Sequence, residues 1–278
     1  MNQLLDRVAI ITGASAGIGQ SIASAYAAEG AKVVLAARHS ERLVAAADAI
    51  RVAGKTALAI TTDVTSESDV ANLFKRTVEA FGRVDVLVNN AGVTVSAPPD
   101  ELSLEDWRKV LDVNLTGAFL CSREALRVMK PRRSGRILNI GSVSAKVPRF
   151  NSAAYVTSKF GLEGLTRSMA LDAREFGIAV SILHPGNTES ELWQGREEVA
   201  RREGLMAAEE LARVAVLMAA LPPDINFLEG VVLPLSMPFW DAGKESGSLF
   251  NYSTQIDRND DEENACRPDH RTAQSGDD

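Results

Sequence analysis

Short apolar runs rich in β-branched residues alternate along this chain with longer stretches of helical periodicity. Val8–Thr12, Lys32–Ala37, Ala57–Thr61, Val84–Asn89, Arg136–Ile140 and Ile178–His184 are brief and mostly apolar, so they read as strands buried on both faces. Between them, Val70, Phe74, Val78 and Phe81 recur every three or four residues and predict a helix with one buried face. Ser103-Leu-Glu-Asp106 has capping-box form and opens a long helix towards Met129. Gly177 closes another helix before the sixth strand. A helix from Ala207 to Leu221 and a last strand, Val231–Leu235, complete the pattern, and no internal repeat is visible.

This alternation predicts a single-domain α/β fold, a Rossmann-like, doubly wound parallel sheet flanked by helices, over residues 1–240. In such a sheet ligands bind beyond the carboxyl ends of the strands, near the point where strand order reverses. The loops after Thr12, Ala37, Thr61, Asn89, Ile140 and His184 are therefore expected on one rim. Residues 189–206 form a polar insertion and a candidate substrate lid.

Charge changes the picture only once it is located. The net charge is −7. From Asp241 onward ten acids face four bases, a net of −6, which leaves −1 for residues 1–240. The stretch 241–278 lacks periodicity and is expected to be an acidic, disordered tail. A nearly neutral body without a basic stripe argues against nucleic acid as a partner. The N-terminus is charged too early for a signal peptide, and the longest apolar helical run, Val214 to Leu221, is too short for a membrane span. Cys121 and Cys266 are the only cysteines, one in an apolar helix and one in the tail, so no disulfide is expected. Cytoplasmic localisation follows. No Cys/His cluster has metal-ligand spacing.

The first strand runs into Thr12-Gly13-Ala14-Ser15-Ala16-Gly17-Ile18-Gly19 and then a helix. Glycines there let the backbone turn tightly and approach a pyrophosphate, while the helix N-terminus offers free N–H groups. The spacing is Gly-x-x-x-Gly-x-Gly rather than Gly-x-Gly-x-x-Gly. Further along, Tyr155 and Lys159 stand at i and i+4 of a predicted helix, so an ammonium lies one turn from a phenol. That neighbour favours the phenolate and makes the tyrosine a better base. Alone, such a pair is more often a surface contact. Ser142 follows the fifth strand, where its hydroxyl either holds a substrate oxygen or caps a turn. Asn114, inside the long helix, is locally unfavourable; it either faces solvent or bends the helix and holds a water near Lys159.

Taken together these motifs resemble the short-chain dehydrogenase/reductase family: Thr-Gly-x-x-x-Gly-x-Gly at 12–19, Asn89-Asn90-Ala91-Gly92, Asn114, Ser142, Tyr155-x-x-x-Lys159 and Pro185-Gly186. They stand in family order and cover residues 5–236. The resemblance implies that Tyr155 exchanges the substrate proton and Ser142 stabilises the reacting oxygen. It implies that Lys159 lowers the Tyr155 pKa and binds the nicotinamide ribose, and that Asn114 anchors a relay water. For the cofactor it implies Gly13, Ser15, Gly17, Ile18 and Gly19 at the phosphates, and Asp63 and Val64 at the adenine. Asn90, Ala91 and Gly92 would line the ribose side, with Pro185, Gly186 and Thr188 flanking the nicotinamide.

The second strand ends Ala36-Ala37-Arg38-His39, with no carboxylate to bind a ribose 2′-hydroxyl. Arg38 suits a 2′-phosphate by charge and by its fork of donors, so NADP(H) is the expected cofactor, with NAD(H) possible. His39 is a further candidate contact to that phosphate, although a surface role is the stronger expectation for it. Substrate selectivity is expected from Val143–Phe150 and from 189–206, with Lys146 and Arg149 read as rim charges and His184 as a packed strand-end residue. Relatives that act on carrier-bound acyl groups dock the carrier on two arginines. Arg133 matches one position, but Phe176 stands at the other, which favours a free small-molecule carbonyl or alcohol. Ser190 replaces the final threonine of the family's Pro-Gly-x-x-x-Thr, and Leu235-Ser236-Met237-Pro238 replaces the usual Asp-Gly-Gly terminus. A homodimer or homotetramer is expected. The alternatives are an NAD-dependent alcohol dehydrogenase of the same family and a non-catalytic dinucleotide sensor.

Overall fold

In the computed structural model, which describes residues 2–189, 198 and 203–237, seven strands form one all-parallel sheet in the order β3-β2-β1-β4-β5-β6-β7. The strands are β1 (Val8–Thr12), β2 (Lys32–Ala37), β3 (Ala57–Thr61), β4 (Val86–Asn89), β5 (Gly135–Ile140), β6 (Ile178–Pro185) and β7 (Glu229–Val232). The helices are α1 (Gly17–Ala28), α2 (Ser40–Val52), α3 (Glu67–Phe81), α4 (Leu104–Leu111), α5 (Gly117–Met129), α6 (Ala153–Ala173) and α7 (Ala208–Ala220). Strand order reverses between β1 and β4, which puts a crevice at their carboxyl ends.

The central strands β1, β4 and β5 are buried on both faces, because alternate side chains enter two separate cores, whereas the edge strand β7 is part-exposed. Ala9, Ile11, Val33 and Leu35 point to the layer built by α1, α2 and α7. Ile10, Val34, Ala36 and Leu87 point to the layer of α3, α5 and α6. That two-sided burial is why the strands read as continuous apolar runs. In the predicted α3, Val70 and Phe74 are buried, with Val78 and Phe81 packed at the edge, and Ser66 caps it by accepting from the Asp69 amide at 3.2 Å. Ser103 likewise caps α4 by accepting from the Asp106 amide.

Two boundaries differ instructively from the sequence reading. The last strand covers Glu229–Val232 rather than Val231–Leu235, since Pro234 has no N–H to give a ladder and Leu235 is fully exposed. The helix from Ser103 to Met129 is interrupted by a wide π-helical turn, Asp112–Thr116, which contains Asn114. The tail 241–278 with Cys266, Ser190, and most of the 189–206 insertion lie outside the described residues. Cys121 is buried. No helix among the described residues is long and apolar enough to cross a membrane.

Candidate active site

The crevice at the switch point is a cleft of about 500 Å³ lined by the loops after β1, β2, β3, β4 and β5 together with α6. Gly13 and Gly17 both take positive φ, so the chain turns there in a conformation that suits glycine. Crowding is as important as conformation. A Cβ on Gly13 would lie 2.9 Å from the Ala91 Cα, and one on Gly19 would lie 2.4 Å from the Asn90 Nδ2 and 2.5 Å from the Gly13 carbonyl oxygen. Asn90 holds this turn in place: its Nδ2 donates to the carbonyls of Thr12 (3.0 Å) and Gly13 (3.2 Å). Thr12 Oγ1 in turn accepts from the Asn90 and Ala91 amides. At Ala16, the N-cap of α1, no side chain caps the helix, so its first-turn N–H groups face the cleft. The cradle therefore fits the pyrophosphate of a dinucleotide: a Cβ-free turn, free amides and a helix N-terminus in one place.

Farther along the cleft wall lie Ala37, Arg38, His39, Thr62, Asp63 and Val64, and Ala91, Gly92, Pro185, Tyr155 and Lys159 close the other end. Burial pushes the Asp63 carboxyl up, but the Thr65 amide and hydroxyl, with Arg38, outweigh it and hold the group below its usual range. Lys159 is buried and donates to the Ile140 carbonyl at 2.9 Å, and its Nζ lies 5.6 Å from the Tyr155 ring centroid. Burial alone pulls its ammonium down to about 8.

Of the residues singled out in the sequence, Gly13, Ser15, Gly17, Ile18, Arg38, His39, Asp63, Val64, Asn90, Ala91, Gly92, Tyr155, Lys159 and Pro185 line the cleft; Gly19, Asn114, Ser142, Gly186 and Thr188 do not. Gly19 is a packing position beneath Asn90. Asn114 is neither solvent-facing nor loose. Its Nδ2 donates to the Val93 carbonyl (2.9 Å) and Ser158 Oγ (3.0 Å), and its Oδ1 accepts from the Val93 amide (2.8 Å). Both N–H groups are spent inside the protein, which leaves an Oδ1 lone pair beside Gly92, close to Lys159. Ser142 Oγ accepts from the Ser144 amide at 3.1 Å. A Cβ on Gly186 would meet Met237 and Leu233, and Thr188 Oγ1 donates back to the Gly186 carbonyl, so both shape the loop after β6.

Lys146 and Arg149 are not rim charges. Lys146 Nζ sits 2.7 Å from Glu163 and 2.5 Å from Glu229, while Arg149 pairs with the buried Glu203 at 2.8 Å. Sequence reasoning also missed Thr62, Val93, Thr94, Lys109, Val113 and Gly141 on the cleft wall. Counting back from Asn114 along its helix would have found two of them, because Val113 precedes it and Lys109 lies one turn earlier. Among the described residues, the grouping with metal-ligand geometry is Glu163, His184 and Glu229, where the Lys146 ammonium already bridges the two carboxylates.

Comparison with known proteins agrees with this geometry. Residues 7–200 match the family model described as short chain dehydrogenase. A cis-4-hydroxycyclohexanecarboxylate dehydrogenase from Sinomonas cyclohexanicum is 39% identical over 235 residues, covering 82% of this chain and 94% of that protein. A 3-oxoacyl-(acyl-carrier-protein) reductase from Synechocystis is 40% identical over 187 residues, covering 67% of this chain and 76% of its own length. The crystal structure of a short-chain type dehydrogenase/reductase from Mycobacterium marinum superposes with a TM-score of 0.79 at 31% identity, covering 83% of this chain and 95% of that one. With the parallel sheet, the cradle and the sequence match in agreement, the chain belongs to the short-chain dehydrogenase/reductase family of NAD(P)-dependent oxidoreductases that act on alcohol and carbonyl groups.

Proposed function

We propose that this enzyme interconverts a free, small carbonyl compound and its alcohol with NADP(H), using Tyr155 as acid and base. The observation that carries the reading is the sharing of one cleft by Tyr155, Lys159, the glycine cradle and Arg38. Gly13, Ser15, Gly17 and Ile18 would hold the pyrophosphate, Asp63 and Val64 the adenine, and Arg38 with His39 the 2′-phosphate. Ala91, Gly92, Lys159 and Pro185 would hold the nicotinamide riboside. The chemistry supplied by a bound NADPH is hydride donation to a carbonyl carbon.

The protein's own work is proton handling and orientation. Tyr155 Oη donates a proton to the carbonyl oxygen in reduction and accepts it back in oxidation. Lys159, held by the Ile140 carbonyl, stabilises the phenolate electrostatically. Ser142 Oγ, whose lone pair already serves the Ser144 amide, keeps its proton for the substrate oxygen. The lone pair left on Asn114 Oδ1 suits a water bridging to Lys159, which would refill the phenol's proton. Arg133, which donates to the Glu175 carbonyl, and Phe176, covered by Lys130 at 4.3 Å, make a poor pair of docking cations for a carrier protein. That favours a free substrate, and Phe119 on α5 with Phe160 and Leu171 on α6, all exposed, offer a face for self-association.

The test is Tyr155→Phe assayed with NADPH against ketones, aldehydes and quinones. The variant should bind NADPH as the parent does and lose nearly all turnover; full activity would remove Tyr155 from the mechanism.

A further inference from the structure

Behind the cleft, four charged side chains and one histidine from four parts of the fold meet in a small volume. His184 is the penultimate residue of β6 and is fully buried. Its Nδ1 lies 2.9 Å from the Ser142 carbonyl oxygen. A carbonyl only accepts, and this is the shorter contact, so we assign the proton to Nδ1; the Ser142 amide approaches the same atom at 3.3 Å, the contact that the other tautomer would use. In the neutral ring Nε2 bears a lone pair, and it has no hydrogen-bond partner. It faces Glu163 Oε2 at 3.9 Å and Glu229 Oε1 at 3.8 Å, the two oxygens that Lys146 Nζ bridges. Arg167 Nη2 bridges the carboxylates from the other side, 2.8 Å from each. Two cations and two anions cancel, so the ring sits against a neutral, cross-linked base. Burial keeps the imidazole below its ordinary pKa, consistent with the neutral tautomer.

The placement of these residues in the chain gives the cluster its meaning. Lys146 is four residues beyond Ser142 on the same loop. Glu163 is one helical turn beyond Lys159 on α6, which also carries Tyr155. His184 immediately precedes Pro185, and Glu229 opens β7. Gly141, before Ser142, is shaped to the ring: a Cβ there would be 2.6 Å from His184 Nδ1. We propose that His184 is a positioning residue that fixes the Ser142 backbone through Nδ1–H, and that Lys146, Glu163, Arg167 and Glu229 lock this loop to the helix bearing Tyr155 and Lys159. The role rests on the assignment of Ser142 and Tyr155 made above. Its consequence is that the hydroxyl and the phenol, carried by different elements, stay in mutual register without touching the cluster.

The experiment uses the full chain, NADPH and the most active carbonyl from the same panel. His184→Asn keeps an N–H near the Nδ1 position, His184→Gln moves it towards Nε2, and His184→Leu removes it. The asparagine variant should stay within about threefold of the parent in kcat, while glutamine and leucine should lose roughly 10- to 100-fold, with NADPH Kd nearly unchanged. Equal kcat in all three variants, or equal loss in all three, overturns the role. If the His184 variants do not fold, Glu229→Gln carries the test from a part-exposed strand. It should lower kcat about three- to tenfold, and an unchanged kcat overturns the lock. Tyr155→Phe in the same assay keeps the two claims separate. Were it active, the catalytic assignment would fail; were it inactive beside a fully active His184→Gln, only the positioning role would.

Discussion

Lys159 donates from Nζ to the carbonyl oxygen of Ile140 at 2.9 Å, so the ammonium one helical turn from Tyr155 is anchored to the end of β5 rather than free in the cleft. One carbonyl does not repay the loss of water around a buried charge, and the ammonium falls from an ordinary 10.5 to about 8. Below about pH 8 both folded and unfolded chains carry the proton. Between about 8 and 10.5 the unfolded chain binds a proton that the folded one has released, so stability rises with pH across that window. The rise is on the order of 3 kcal/mol for a shift of this size. Urea unfolding of the cofactor-free protein at pH 7.5 and 10 should show it as a difference from Lys159→Met, which lacks the group. Parallel pH dependence in the two proteins would mean that Lys159 titrates as an exposed lysine does.

Gly19 is a packing position, and that makes a sharp prediction for Gly19→Ala. The new methyl meets the Gly13 carbonyl as well as Asn90, and backbone cannot step aside as a flexible side chain can. The phosphate turn must move, at a cost of about 1–3 kcal/mol. NADPH Kd should rise at least about tenfold by fluorescence titration. A variant that bound NADPH normally would show the turn to be tolerant at this point.

Arg38 carries the proposed cofactor preference. A charge-assisted bond to the 2′-phosphate is worth about 1.5–3 kcal/mol, or roughly 10- to 100-fold. The enzyme should therefore show kcat/KM for NADPH at least about tenfold above NADH, and Arg38→Leu should bring the two near parity. Comparable efficiencies in the parent would leave Arg38 with only its neighbour Asp63 to serve.

The parts of this molecule that were readable from the sequence are those in which a local pattern meets a local physical demand. Two-sided burial wrote β1, β2 and β5 as apolar runs. Positive φ and a missing Cβ wrote Gly13, and helical spacing placed Lys159 one turn from Tyr155. Three features had no such local signature. The π-helical turn at Asn114 depends on Val93 and Ser158, each met only in the folded chain. Lys146 and Arg149 looked like solvated loop charges because their partners, Glu163, Glu229 and Glu203, come from other elements. His184 was readable as a packed residue, but its contact with Ser142 spans 42 positions and joins the ends of the neighbouring strands β5 and β6.

The Arg149 pair yields the last prediction. Arg149 Nη2 reaches Glu203 at 2.8 Å and Asn187 Oδ1 at 3.1 Å, and Asn187 Nδ2 closes the triangle on Glu203 at 3.0 Å. This ties the loop that begins at Ser142 to the loop after β6 and to the segment that Ser236 also holds through the Glu203 carbonyl. Glu203 is 5% exposed, whereas the Arg149 side chain is about one-third exposed, so the two halves of the pair are unequal. Arg149→Leu takes a cation from a buried carboxylate that Asn187 still serves, and should cost more than Glu203→Gln, which leaves the arginine near water. Screening at the arginine keeps the first figure to about 1–3 kcal/mol. Because the triangle braces the loop that begins at Ser142, the proposed substrate contact, KM for the carbonyl should rise in Arg149→Leu while NADPH Kd holds. The double variant with Glu203→Leu should recover part of the lost Tm, because the carboxylate that the arginine had balanced is then no longer buried. Strictly additive losses in that cycle would show that the two side chains stabilise the loops independently.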